Sequence, residues 1–233
     1  MSKRRSADEK LPFIKANGLT LFFLGLLVLS LVGQSFAGLA DFNHQQLADG
    51  GNQISWLRYI TSAAFSVDVA ENWQSEFMQF SFYIVATVWL IQVGSSESKQ
   101  PDEVGVESDR KQKVGRYADP NSPRPARAGG LRAYLYGRSL GLVMGVLFIG
   151  SWTAQSIAGR AAYNHDQLSQ YENPVSWGGY VTSADFWNRT LQNWQSEFLA
   201  VACMAAFAIY LRYRGSPESK VVGAPHDATG LDS

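Results

Sequence analysis

The chain has 233 residues, and its 20 basic and 20 acidic side chains balance. With a single cysteine, Cys203, it has no internal disulfide, and no nucleic-acid partner is expected. The charges are not spread as in a soluble globular domain: they leave four long uncharged runs separated by polar stretches.

The N-terminal tail, 1–16, carries Lys3, Arg4, Arg5, Lys10 and Lys15. From Lys15 to Asp41 there is no charge, and this run predicts a transmembrane helix over about 17–40. Such a run can cross a hydrocarbon core of roughly 30 Å. "KRR" followed by an apolar run and "SFAGLA" also fits a signal peptide. The same element recurs internally at 138–160, so it is read as a retained helix. Gly38 to Ala48 can extend this helix into the connector 41–75, and Gly50-Gly51 stops it. Ser55 is then placed to cap a short segment bearing Trp56, Tyr59 and Phe65. A second span is expected over about 76–94.

The linker 95–137 holds eight Lys or Arg residues with Pro, Gly and mixed charge, and is expected to be disordered. Its basic end, Arg124 to Arg132, lies where anionic headgroups could meet it. The third span is expected over about 138–160. The connector 161–194 follows, with its stop at Asn173-Pro174 and a cap at Ser176 before Trp177, Tyr180 and Phe186. The fourth span, about 195–213, is the shortest, with only the residues between Glu197 and Arg212 uncharged. Arg212 and Arg214 could snorkel to the headgroups. Cys203 in this run reads as a small buried apolar residue. Residues 216–233 form a tail expected to be unstructured.

A shift of 121 residues aligns 34–99 with 155–220 without a gap. Gln34-Ser35 falls on Gln155-Ser156, Asn43-His44 on Asn164-His165, and "NWQSEF" at 72–77 on itself at 193–198. "GSSESK" falls on "GSPESK". Met78–Trp89 and Leu199–Tyr210 share no identical residue, so the apolar helices diverged while the connecting segments did not. The fold class expected is all-α: an integral membrane four-helix bundle of two tandem parallel helical-hairpin repeats, 17–94 and 138–215. Lys and Arg crowd the tails and the linker, whereas the connectors hold only Arg58 and Arg189, with Arg160 at a border. Both termini and the linker are therefore expected to be cytoplasmic.

Five of the seven tryptophans fall in the connectors. Trp56, Trp73, Trp177 and Trp194 are expected as interfacial anchors. On a helix Asn72, Ser75, Glu76 and Gln79 share one face, with Trp73, Phe77 and Phe80 on another. Asn193, Ser196 and Glu197 repeat the polar face, with Ala200 in place of Gln79. The amides Gln34 and Gln155 near membrane depth are expected to hydrogen-bond across helices. The candidate polar cluster is therefore Gln34, His44, Asn72, Glu76, Gln155, His165, Asn193 and Glu197. Glu76 with His44, and Glu197 with His165, could converge as a proton relay or ligand site. The competing expectation is that these groups only cap and stitch the connectors. One His and one Glu per unit fall short of a metal constellation, and no catalytic or phosphate-loop motif is present. No catalytic residue, metal or cofactor is assigned. Gly94 and Gly215 read as helix stops before Lys99 and Lys220.

These residues carry a resemblance. Gly33-Gln34-Ser35 with Ala37-Gly38, Phe42-Asn43 and Tyr163-Asn164, "YITS" and "YVTS", both "NWQSEF" copies and the two Ser-Lys tails resemble a family of uncharacterised bacterial integral membrane proteins, a domain-of-unknown-function family. The likeness covers nearly all of 17–99 and 138–220, with Ala154 where the first unit has Gly33. It implies a multi-pass protein of the bacterial cytoplasmic membrane and no particular activity. Three functions stay open: a non-enzymatic membrane module for assembly, envelope or sensing; a small oligomeric transporter or channel using Glu76 and Glu197; and a membrane enzyme, the least supported. The expected partners are the lipid bilayer and further copies of the chain.

Overall fold

A computed structural model of the chain describes residues 12–230. Lys3, Arg4, Arg5 and Lys10 of the N-terminal tail lie outside them. Among the described residues there are nine α-helices and no strand. They are α1 (Phe13–Ala16), α2 (Gly18–Ala48), α3 (Trp56–Ile60), α4 (Ala63–Trp89), α5 (Arg124–Ala128), α6 (Gly130–Tyr136), α7 (Ser139–Ser169), α8 (Trp177–Val181) and α9 (Ala184–Tyr210). Every boundary of α2, α3 and α4 recurs in α7, α8 and α9 after a shift of 121 residues. Two helices, α2 and α7, are long and apolar enough to cross a membrane.

Two compact units divide the chain, the first ending at Phe65 and the second beginning at Ser66. In the first, the end of α2 is tied to the loop and to α3. Asn43 donates to the carbonyl of Ile54 at 3.0 Å and accepts from its N–H at 2.8 Å, so one side chain stands in for a strand partner. The Trp56 indole donates to Ser35 Oγ at 3.0 Å and stacks on Phe36. Tyr59 is buried with its hydroxyl against the Cα of Gly38, where any side chain would collide. Ser62 accepts from the N–H of Phe65 and caps the start of α4.

The second unit contains the same corner. Asn164 bonds both backbone groups of Val175 at 3.0 and 2.8 Å, Trp177 donates to Ser156 at 3.0 Å, and Tyr180 packs on Gly159. Ser183 caps α9. The expected cap at Ser176 is present, its hydroxyl accepting from Gly179 N–H. The one at Ser55 makes no side-chain cap bond, although its backbone is extended as a cap requires. Gln155 of α7 meets Thr190 of α9 at 3.4 Å, and Phe148 meets Trp194. Rising numbers on α7 thus pair with falling numbers on α9, so the two run antiparallel.

The returning helices differ from their expected spans. They start at Ala63 and Ala184, well before 76 and 195, because Ser62 and Ser183 supply the caps. They stop at Trp89 and Tyr210. At the end of α4 the carbonyl of Val88 accepts from Gly105 N–H at 2.8 Å. At the end of α9 Arg212 Nη1 donates to the carbonyls of Ala208, Ile209 and Leu211. Arg212 is thus a helix cap rather than a snorkelling cation.

The linker and tail also differ from expectation. Residues 95–137 carry two 3-10 turns (Pro101–Glu103 and Gly115–Tyr117), α5, α6 and ion pairs such as Lys111–Glu103 at 3.0 Å and Lys113–Asp119 at 2.9 Å. Charges of both signs at short spacing supply local order that the shortage of large apolar residues hides. In the tail, Lys220 is 2 % exposed and the three N–H groups of its ammonium are shared among the carbonyls of Gly94, Pro225, His226 and Ala228 at 2.6–3.1 Å. Burial, with Arg212 nearby, pushes its pKa down. The two Ser-Lys loops match in detail. Gly94 and Gly215 adopt φ of +85° and +87°, Ser98 and Ser219 accept from Gln92 and Tyr213 N–H, and Ser96 donates to the Glu218 carbonyl.

Candidate functional site

The site lies along the contact between α4 and α9, where the two "NWQSEF" copies meet. Residues Val67, Ala70, Glu71, Gln74, Ser75, Met78 and Ser81 form the buried stripe of α4. Their 3–4 spacing is that of one helix face. Most are small or polar, which lets a second helix approach closely. Arg189 faces Glu71, Trp194 faces Gln74 and Glu197 faces Ser75, so the numbers rise together and the helices are parallel.

Three layers follow along this contact. The first is charged. Arg189 bonds Glu71 at 3.1 Å and Asp185 at 3.3 Å, and Tyr180 donates to Asp185 at 3.2 Å. Asp68 stands close enough to feel the Arg189 charge. Burial raises the pKa of Asp68, and Arg189 only partly opposes it. The same holds for Glu71, where burial outweighs the attraction of its own partner. Arg189 moves the other way. Burial works against its charge, but Glu71 and Asp185 overcome that cost and raise its pKa. The two directions agree once exposure is considered. The Glu71 side chain is 11 % exposed and that of Arg189 is 39 %, so the desolvation cost falls mainly on the acid. Burial first, then Asp185, raises the pKa of Tyr180.

The second layer is made of amides and indoles. Trp194 donates to Gln74 Oε1 at 2.9 Å, and Trp152 and Gln155 both donate to Thr190 Oγ1 at 3.4 Å. Gln74, Gln155 and Thr190 have no exposed surface. Gln74 Nε2 and Gln155 Oε1 have no hydrogen-bond partner among the described residues, leaving an amide NH2 and an amide oxygen unmet. Phe148, Trp152, Phe186, Trp187 and Trp194 pack around them at ring separations of 5.6–6.3 Å. In the third layer, Ser75 donates to Glu197 at 3.4 Å and Gln79 donates to the Glu197 carbonyl at 3.3 Å, both long bonds. Glu76 lies within electrostatic reach of Glu197.

The expected cluster is partly assembled here. Glu197, Glu76 and Gln155 belong to these layers. Asn72 and Asn193 do not reach across; each bonds the carbonyl four residues back on its own helix, at 2.8 and 2.9 Å. Trp194 is half-buried and hydrogen-bonded to Gln74, whereas Trp73, Trp56 and Trp177 are 43, 40 and 50 % exposed. Gln34 is half-buried and His44 exposed on α2, ten residues apart and so roughly 15 Å along the axis. His165 and Glu197 do not converge. Gln155 sits opposite Thr190, and His165 lies ten residues beyond Gln155 while Glu197 lies seven beyond Thr190 in the opposite sense. Their separation along the axes is roughly 25 Å. Among the described residues no group of three or more His, Cys, Asp or Glu side chains is placed to hold a metal ion.

Sequence reasoning missed Asp68, Glu71, Gln74, Thr190 and Arg189. The signal for Glu71 and Gln74 was the 3–4 spacing that they share with Val67, Ala70, Ser75 and Met78, and that pattern leaves out Asp68. Arg189 was visible as one of only two connector cations, but its partners are 4 and 118 residues away.

Among the described residues the only regular elements are helices, and two of them are long and apolar enough to cross a membrane, which defines the class of protein. The sequence profile of a family described as "Domain of unknown function (DUF6766)" matches residues 10–231, and the chain belongs to that family. No curated protein and no solved structure matches it.

Proposed function

We propose that the chain is a non-enzymatic, multi-pass module of the bacterial cytoplasmic membrane, an assembly, envelope or sensing component. In this reading the chain crosses the membrane over about 17–40, 76–94, 138–160 and 195–213, as a four-helix bundle made from two tandem parallel hairpin repeats, and the charged layer at Asp68, Glu71, Asp185 and Arg189 lies in the connectors outside the crossings. The bilayer and further copies of the chain are its partners. The Lys and Arg distribution supports cytoplasmic termini and linker. The apolar surfaces of α2 and α7 support the bilayer, because almost none of the residues in their most apolar windows are buried.

The observation that carries the reading is the closed contact between the two "NWQSEF" copies. Gln74 and Ser75 of the first lock onto Trp194 and Glu197 of the second, and Gln74, Ser75, Gln155 and Thr190 are 0–1 % exposed. A packed polar seam of this kind serves cohesion between the two copies.

One observation favours the alternative of a small oligomeric transporter or channel. Gln74 Nε2 and Gln155 Oε1 are buried without partners, as in a site that a passing polar solute could complete. The double variant Glu76→Gln, Glu197→Gln, reconstituted in liposomes beside the wild type, separates the two. The module reading expects no proton, ion or solute flux from either protein and a changed unfolding midpoint in the variant. Flux in the wild type that the variant abolishes overturns it.

A further inference from the structure

The second unit contains a cleft that the seam does not use. It is bounded by the start of the linker, the end of α4, α6 and the residues leading into α7, and encloses about 950 Å³. That lies within the usual range for small-molecule sites, roughly 300–1,000 Å³.

Two arginines on its wall are arranged in the same way. Arg138 stacks on the Tyr134 ring at 3.8 Å and bonds the Tyr134 carbonyl. Arg116 stacks on Tyr117 at 4.8 Å and donates to its hydroxyl at 2.7 Å. Each guanidinium spends one of its five N–H groups and is held in plane by an aromatic face. Neither pairs with a carboxylate among the described residues. Lys99, the third cation on the wall, is already held by Glu107 at 3.5 Å. Against Glu107 and Asp109 the three cations leave the wall with a net charge of +1.

The rest of the lining suits an anion with an apolar attachment. Gly105, Gly115, Gly129 and Gly130 all adopt positive φ and cover part of the wall with bare backbone. Val88, Val106, Val114 and Ala133 supply an apolar side. Arg138 immediately precedes α7, one of the two helices able to cross a membrane.

We propose that this cleft binds a phosphate ester, with the guanidinium edges of Arg116 and Arg138 on the phosphate oxygens. Arginine offers phosphate a planar, bidentate fork that lysine lacks. The apolar side and the start of α7 point to the headgroup of an anionic phospholipid at the inner membrane face. That placement rests on the membrane reading above.

The full-length protein in detergent is titrated with short-chain phosphatidylglycerol, with glycerol phosphate, and with a phosphate-free diacylglycerol of the same chain length. The unfolding midpoint reports binding. Phosphatidylglycerol is expected to raise it saturably, and the phosphate-free lipid to leave it unchanged. Binding of phosphatidylglycerol alone marks a lipid source; equal binding of glycerol phosphate marks a soluble ester of the same chemistry.

The variant Arg116→Gln, Arg138→Gln should bind at least roughly tenfold more weakly. Arg58→Gln, Arg110→Gln changes the charge equally at two exposed positions outside the cleft and should bind as the wild type does. The single variants Arg116→Lys and Arg138→Lys keep charge and fold, and each should weaken binding several-fold. Equal stabilisation by the phosphate-free lipid, or equal losses in the two double variants, overturns the proposal. Carbonate extraction of the cell membranes from which each protein is purified reads membrane insertion separately, since the short-chain probes need no bilayer. An inserted protein that fails to bind sinks the cleft alone; one that binds but is extracted sinks the membrane reading alone.

Discussion

The two "NWQSEF" copies have one sequence and two environments. In the first, Gln74 and Ser75 are buried while Trp73 and Glu76 are exposed. In the second, Trp194 and Glu197 are half-buried and bonded while Gln195 and Ser196 are exposed. The corners behave otherwise: the Asn43–Ile54 and Asn164–Val175 bonds agree at 3.0 and 2.8 Å, as do the two tryptophan–serine bonds at 3.0 Å. A contact between residues 11 or 21 apart is copied along with its sequence. A contact across about 120 residues joins one copy to the other, and a Gln–Trp pair has two senses of which one forms. The flanks differ between copies: Asp68 answers to Arg189, Glu71 to Gln192 and Gln79 to Ala200. Arg189 can take Glu71, and Gln192 offers no cation for the reverse arrangement. That difference gives the seam its direction.

The largest expected effect tests the matching corners. Valine at Gly159 would drive its Cβ into the Tyr180 ring and hydroxyl, and valine at Gly38 would do the same to Tyr59. Overpacking of this kind costs about 1–3 kcal/mol. Unfolding of both variants in detergent should show similar losses at the upper end of that range. A large loss at one corner only would break the equivalence. The seam should give the opposite pattern. Trp194→Phe strips Gln74 of its one partner and leaves a buried amide unsatisfied, a cost of about 1–3 kcal/mol. Trp73→Phe, at the same place in the motif but exposed, should stay within about 0.5 kcal/mol. Equal effects would mean that the copies are interchangeable after all. Arg189→Gln should follow, at about 1 kcal/mol, because its side chain is more than a third exposed and solvent discounts the pair.

The sequence made the helical class and the corner helices legible through periodicity, caps and glycine stops. α2 ends at Ala48, just before the expected Gly50-Gly51, and α3 and α8 start after Ser55 and Ser176. These features depend on residues near in the chain. The starts of α4 and α9 were missed because Ser62 and Ser183, inside "YITS" and "YVTS", had no assigned role; both prove to be caps. The site was harder to read. The expected face Asn72, Ser75, Glu76 and Gln79 shares Ser75 with the buried stripe Glu71, Gln74, Ser75 and Met78, and its other members are turned from that stripe by one residue of helix rotation, about 100°. Polarity alone picked a face that overlaps the seam only at its edge, since the seam buries Glu71, Gln74 and Ser75 and exposes Asn72 and Glu76. The linker was misjudged because short-range ion pairs leave no mark on its apolar content.

The smallest effect concerns the charged layer, and its sign separates it from an ordinary ion pair. Asp68 and Glu71 hold their protons more tightly in the folded chain than their usual values of 3.8 and 4.5 would give, because burial outweighs Arg189. Such an acid contributes most below its unfolded value, and the contribution is lost as pH rises through the higher folded value. Stability should therefore decline from about pH 4 towards neutrality, the reverse of the trend for a carboxylate whose pKa is lowered by its partner. Asp68→Asn keeps the shape of the side chain and removes the titration, so its midpoint should fall less over that interval than the wild type's. Arg189→Gln removes the attraction that holds both acids down, so its decline should be steeper and reach higher pH. Unfolding midpoints of the three proteins at several pH values decide the matter. A flat wild-type profile, or one that Arg189→Gln leaves unchanged, would show that the layer holds its charges as a simple salt bridge.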